Sequence, residues 1–72
     1  MKAKFTAGGR FSRYFSPSDY YGLYFALMNA TGKNHELSEN VASWACFAAL
    51  GETWEIPLEE GRDLVIEIVD ED

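Results

Sequence analysis

Cysteine and histidine are nearly missing from this sequence: Cys46 and His35 are the single residues of their types. One thiol excludes an intrachain disulfide. One thiol and one imidazole cannot supply the usual zinc ligand set, so neither a bridged scaffold nor a zinc-held domain is expected, and no metal or other cofactor is implied. An unpaired thiol fits a reducing compartment, which predicts a cytoplasmic location. Basic residues are scarce as well. Six Lys and Arg against twelve Asp and Glu give a formal net charge of −6. Such a charge favours solubility and repels polyanions at long range, which argues against non-specific binding to DNA, RNA or anionic membranes. Long hydrophobic runs are also lacking. The longest, 23–28 and 44–50, fall far short of a membrane span, and no charged-then-apolar signal pattern opens the chain. Internal repeats and low-complexity tracts are absent.

What is present is a dense supply of apolar and aromatic side chains, 47% and 15% of 72 residues. That length predicts a single domain over 1–72. A domain of this size buries only about 60% of its unfolded surface and depends on a dense core or on self-association. Aromatic rings beyond the capacity of that core become contact surface.

Period-two alternation is clearest near the C-terminus. Trp54, Ile56 and Leu58 alternate with Thr53, Glu55 and Pro57, and Leu64, Ile66 and Ile68 alternate with Val65, Glu67 and Val69. A three-residue loop, Glu59-Glu60-Gly61 with Gly61 left-handed, sets Ile56 opposite Leu64 and Trp54 opposite Ile66. Pro57 lacks a backbone donor and predicts an edge position. At the other end Ala3, Phe5 and Ala7 alternate with Lys2, Lys4 and Thr6 before Gly8-Gly9. A two-residue turn there strands Phe11 on the lysine face. A three-residue loop, Gly8-Gly9-Arg10, instead sets Phe11 and Phe15 beside Ala3, Phe5 and Ala7, and is the register favoured here.

Between these hairpins the 3.6-residue period predicts two helices. Ser16-Pro17-Ser18-Asp19 reads as a start with Ser16 as N-cap, running to Asn29 or Ala30 before Gly32. Tyr20, Leu23, Tyr24, Leu27 and Met28 form its stripe, widened by Tyr21 and Phe25. After a polar connection, 33–36, Ser38 reads as the cap of a second helix over 39–50 that stops at Gly51. Its stripe is Val41, Trp44, Ala45 and Ala48. The order strand, strand, helix, helix, strand, strand predicts an α+β domain of two layers, an antiparallel four-stranded sheet with two helices on one face.

No arrangement of nucleophile, base and orienting group is visible, so no enzyme is predicted. Cys46, amid Ala45, Phe47 and Ala49, reads as a core thiol. His35-Glu36 reads as an exposed loop pair rather than a general base. Gly8-Gly9 lacks the spacing and lysine of a phosphate loop. Glu59-Glu60 reads as a solvated turn, and Asp70-Glu71-Asp72 as a solubilising tail without calcium-loop spacing.

Two surfaces remain as binding candidates. The first combines Tyr20, Tyr21 and Tyr24 with Glu55, Glu59, Glu60 and Asp63. One helix cannot bury that many rings against a sheet, and tyrosine suits an interface. The second is the N-terminal segment, where Phe5, Phe11, Tyr14 and Phe15 interleave with Lys2, Lys4, Arg10 and Arg13. Single-stranded nucleic-acid surfaces combine rings and cations in this way, whereas the plainer reading makes the phenylalanines core and the cations a solvated face. The cations contrast with the acidic C-terminal third; a basic first strand beside an acidic last strand gives cross-strand pairs, and the sharper alternative is two separate surfaces of opposite sign.

The stretch 44–54, Trp-Ala-Cys-Phe-Ala-Ala-Leu-Gly-Glu-Thr-Trp, running into Leu64-Val65-Ile66-Glu67-Ile68, resembles small uncharacterised proteins carried by bacterial phages and mobile elements. The resemblance implies an accessory protein that binds something, in a setting that includes acidic anti-CRISPR inhibitors of host defences. The leading expectation is therefore a non-catalytic, acidic protein-binding module that binds or inhibits a basic, nucleic-acid-handling host protein. The alternative is a single-stranded nucleic-acid binder using Lys4, Arg10, Arg13 and Tyr14. Homo-oligomerisation is compatible with both.

Overall fold

The computed structural model describes residues 1–59 and 61–70. Its elements are β1 (Lys2–Ala7), β2 (Arg10–Phe15), α1 (Tyr20–Ala30), α2 (His35–Phe47), β3 (Thr53–Ile56) and β4 (Leu64–Val69). All strands pair antiparallel in one four-stranded sheet of order β2-β1-β4-β3. The fold is α+β in the order ββααββ. The first and last strands are thus central neighbours, and Lys4 lies directly opposite Glu67. Opposite charges at facing positions are the arrangement a basic first strand and an acidic last strand predict.

The C-terminal pairing follows the alternation. Ile56 faces Leu64 and Trp54 faces Ile66, and β3 is an edge strand, as Pro57 requires. The loop differs from the expected three residues. Pairing stops at Ile56, and residues 57–63 make the connection. Pro57 cannot donate to the ladder, and the Leu58 amide donates instead to Asp63 Oδ1 at 3.3 Å. Gly61 has the expected positive φ, 66°. Glu60, Glu71 and Asp72 lie outside the described residues.

The N-terminal hairpin contains both candidate registers. Gly8 and Gly9, with φ of 59° and 78°, form a two-residue turn that sets Ala7 opposite Arg10 and Thr6 opposite Phe11. A bulge then skips Ser12, so that Phe5 faces Arg13 and Ala3 faces Phe15. Phe15 reaches the core, and Phe11 does not: it is 54% exposed. Placing Phe11 in the core is therefore corrected by the turn length, since the extra residue comes after Phe11 rather than before it.

Both helix starts also differ from the sequence reading. Ser16 is not the cap of α1; residues 16–19 form a turn in which the Asp19 amide donates to the Ser16 carbonyl at 2.9 Å. Asp19 is the N-cap, its carboxylate accepting from the Gly22 amide at 3.0 Å. A Cβ at residue 22 would collide with that carboxylate, which explains a glycine inside the first turn. Asn34 rather than Ser38 caps α2, accepting from the Leu37 amide at 3.1 Å. Ser38 is one turn inside the helix and fully buried. The helix ends at Phe47, not Leu50, because Ala48 is already extended. Residues 51 and 52 instead bond to β4, with Gly51 N donating to Ile68 O and Ile68 N to Glu52 O.

One core cluster joins sheet and helices. It holds Ala3, Phe5, Phe15, Ile56, Leu64, Ile66 and Ile68 from the strands, and Leu23, Leu27, Val41 and Ala45 from the helices. The strand members of β1 and β4 alternate, as one face of a pleat must. Trp44 of α2 meets Trp54 of β3 edge to face at 5.5 Å, adding an aromatic contact worth about 1 kcal/mol beyond area.

Candidate functional site

α1 is composed of Tyr-Tyr-Gly-Leu-Tyr-Phe-Ala-Leu-Met-Asn-Ala and carries no charged side chain. Leu23 and Leu27 are buried, with Ala26 and Ala30 packed against the core. The small alanines seat the helix closely, and its bulky residues are displaced outward. Tyr21, at 71%, and Phe25, at 59%, are exposed. Tyr20 and Tyr24, half-buried, stack in parallel with centroids 6.1 Å apart, and Tyr21 and Phe25 meet them edge-on at 5.4 and 5.2 Å. The result is a continuous aromatic surface along the first half of α1.

That surface runs onto the start of α2. The Tyr24 hydroxyl bonds to His35 Nδ1 at 2.5 Å, and His35 Nε2 lies 3.0 Å from Glu39 Oε2. His35 therefore belongs to a helix and works with Glu39, four residues on, rather than forming a loop pair with Glu36. The spacing of His35 and Glu39 on one helical face is the signal in the sequence, legible only with the helix starting at His35 rather than at 39.

The acidic candidates are elsewhere. Glu55 is exposed on β3 opposite Val65. Glu59 is exposed, with its carbonyl accepting from the Arg62 amide. Asp63 holds the Leu58 amide, and Glu60 is outside the described residues. Glu59 lines a shallow depression of about 260 Å³ with Ala30, Thr31, Gly32, Leu58 and Arg62, at the C-terminal end of α1. At 1.5 Å per residue this end is about 15 Å along the axis from Tyr20. Tyr20 and Tyr21, at the start of α1, thus lie at the other end of that helix from Glu59.

The basic candidates are brought together by the β1–β2 hairpin. Phe11 and Tyr14 meet at 4.8 Å, and Lys2 Nζ sits 5.5 Å from the Tyr14 ring centre. Arg13 lies over Phe15 at 4.5 Å, Arg10 is exposed beside the turn, and Lys4 faces Glu67. Of the interleaved phenylalanines, Phe5 and Phe15 are core and Phe11 is surface.

Cys46 departs from its expected burial. It is exposed, with Sγ donating to the Ala42 carbonyl at 3.5 Å, beyond the edge of the buried stripe formed by Ser38, Val41, Ala42 and Ala45. Phe47, beside it, is 89% exposed. Among the described residues no three or more His, Cys, Asp or Glu side chains gather as a metal site, and no helix is long and apolar enough to cross a membrane.

Compared with family models, curated proteins and solved structures, the chain matches none.

Proposed function

We propose that the chain is a non-catalytic protein-binding module, a two-layer domain with both helices on one face of the sheet, whose contact surface is the outward face of α1. The observation that carries this reading is an eleven-residue helix without a charge that leaves Tyr21 and Phe25 in solvent. A helix apolar on all sides is ordinarily covered by protein, and tyrosine and phenylalanine are enriched at interface centres. The net charge of −6 selects a partner with a basic surface, since complementary charge speeds encounter and suppresses wrong partners. The resemblance of 44–54 to phage and mobile-element proteins adds a setting: an accessory protein acting in the cytoplasm on a basic, nucleic-acid-handling host protein.

The test is affinity capture from nuclease-treated host lysate with the parent and with a Tyr21→Glu, Phe25→Glu variant. The expected outcome is a basic protein retained by the parent and lost by the variant. Identical retention by both removes α1 from the contact. Lysines in place of Glu55, Glu59 and Asp63 should slow association without abolishing it, because charge acts mainly on the rate of encounter while the apolar contact is made by α1.

A second reading is favoured by one observation, the surface pair Phe11–Tyr14 with Lys2 over its ring. Rings and cations on a sheet are the elements of single-stranded nucleic-acid binding. Anisotropy of a labelled oligonucleotide, falling linearly in log salt and abolished by Phe11→Ala with Arg13→Ala, would establish it. An oligonucleotide that stays free at low salt leaves the α1 face as the contact.

A further inference from the structure

We infer that Tyr24 is a base-assisted nucleophile: a modification site at which the phenol oxygen attacks electrophilic acid derivatives carrying a leaving group, such as acyl, sulfonyl or phosphoryl centres. The proposal rests on three side chains from two helices. Glu39 at 3.0 Å from His35 Nε2 can only accept when ionised, so Nε2 carries the imidazole proton. Nδ1 of the neutral ring then holds a lone pair, and it faces the Tyr24 hydroxyl. The phenol proton is thus aimed at a base whose tautomer a carboxylate fixes, the order nucleophile, base, orienting group. Glu39 acts through His35 and is a positioning residue. The His35 and Glu39 side chains are 67% and 52% exposed, so a small reagent can approach from solvent.

With an aryl sulfonyl fluoride the step balances as follows. The Tyr24 oxygen forms a bond to sulfur, its proton passes to His35 Nδ1, the sulfur–fluorine bond breaks and fluoride departs. The resulting imidazolium is countered by Glu39, and its extra proton is lost to solvent. No oxidant or reductant takes part.

Tyr21 supplies the internal control. It lies on the same helix, is more exposed, and makes ring contact with Tyr20 and no side-chain hydrogen bond among the described residues. Access alone would make Tyr21 react first, whereas base assistance makes Tyr24 react first. The inference is independent of the proposed protein contact, because reactivity is read on the free chain.

The experiment is a time course of the full chain with an aryl sulfonyl fluoride, with rates assigned to each tyrosine by peptide mass spectrometry. Tyr24 is expected to be labelled several-fold faster than Tyr21. General-base assistance reaches about 10²-fold or more in closed sites, and in this open one His35→Phe should slow Tyr24 about tenfold while leaving Tyr21 unchanged. Glu39→Gln, which keeps the imidazole and the helix start, should slow Tyr24 by a smaller factor, again selectively. Tyr21 matching or outpacing Tyr24 overturns the inference, and so does a Tyr24 rate unmoved by both substitutions.

Discussion

Ser38 is fully buried in α2, and its Oγ has no hydrogen-bond partner among the described residues. A buried hydroxyl without a partner costs stability, and alanine is the better helix former. Ser38→Ala is therefore expected to stabilise the fold by about 1 kcal/mol, seen as a higher urea midpoint at unchanged slope. This position also shows why the helix start was hard to read. The apolar period of α2 begins in earnest at Val41, and the preceding turn, His35-Glu36-Leu37-Ser38, is mostly polar. Serine there looks like a cap, yet Asn34 fills that role and tertiary packing takes Ser38 inside. Cys46 is the converse. Its apolar neighbours suggest burial, but it falls beyond the edge of the buried stripe of Ser38, Val41, Ala42 and Ala45. At single positions, composition speaks for the neighbourhood and phase decides the side.

At the level of elements, the sequence carried most of the sheet. The register of Ile56 with Leu64 and Trp54 with Ile66 was legible because a period of two and a proline act on the same pairing. The N-terminal hairpin was half legible. Its two registers looked exclusive, but the bulge at Ser12 joins them, and no local residue type announces a bulge there. The two-residue turn sets Phe11 outward, and the bulge then returns Phe15 to the core face and sets Tyr14 opposite Lys4, so the Phe11–Tyr14 pair of the basic surface depends on it. Deleting Ser12 should permit continuous pairing, with Thr6 still opposite Phe11 and Phe5 opposite Arg13. The expected outcome is a variant with parental far-UV circular dichroism but a straighter edge strand. Bulges protect edges from pairing with other chains, so its light scattering on incubation should rise above that of the parent. The aromatic face of α1 was legible as an excess of rings, since Tyr20, Tyr21, Tyr24 and Phe25 span too wide an arc for one sheet. Which rings would be exposed was not, because that depends on how Ala26 and Ala30 seat the helix. The contact between Tyr24 and His35 joins two helices and has no signature in either one.

For the whole molecule, opposing tendencies meet at α1. Its exposed rings favour association, while a net charge of −6 makes copies of the chain repel one another. Salt screens that repulsion, with a Debye length of about 10 Å at 0.1 M and 3 Å at 1 M, but leaves apolar attraction in place. Light scattering should give 8.1 kDa at low ionic strength and a rising mass at high salt, with Tyr21→Glu, Phe25→Glu holding the lower value throughout. The strand order has a different consequence, which concerns time. The β1–β2 and β3–β4 pairs and the α1–α2 pair each join neighbours in the chain, whereas the centre of the sheet joins Lys2–Ala7 to Leu64–Val69. Closing so long a loop is entropically costly and must precede the contacts that reward it. The meeting of β1 and β4 is therefore expected to limit the folding rate. In stopped-flow refolding, Ile66→Val at that seam should mainly slow folding, while Ile56→Val on the outer strand should mainly hasten unfolding.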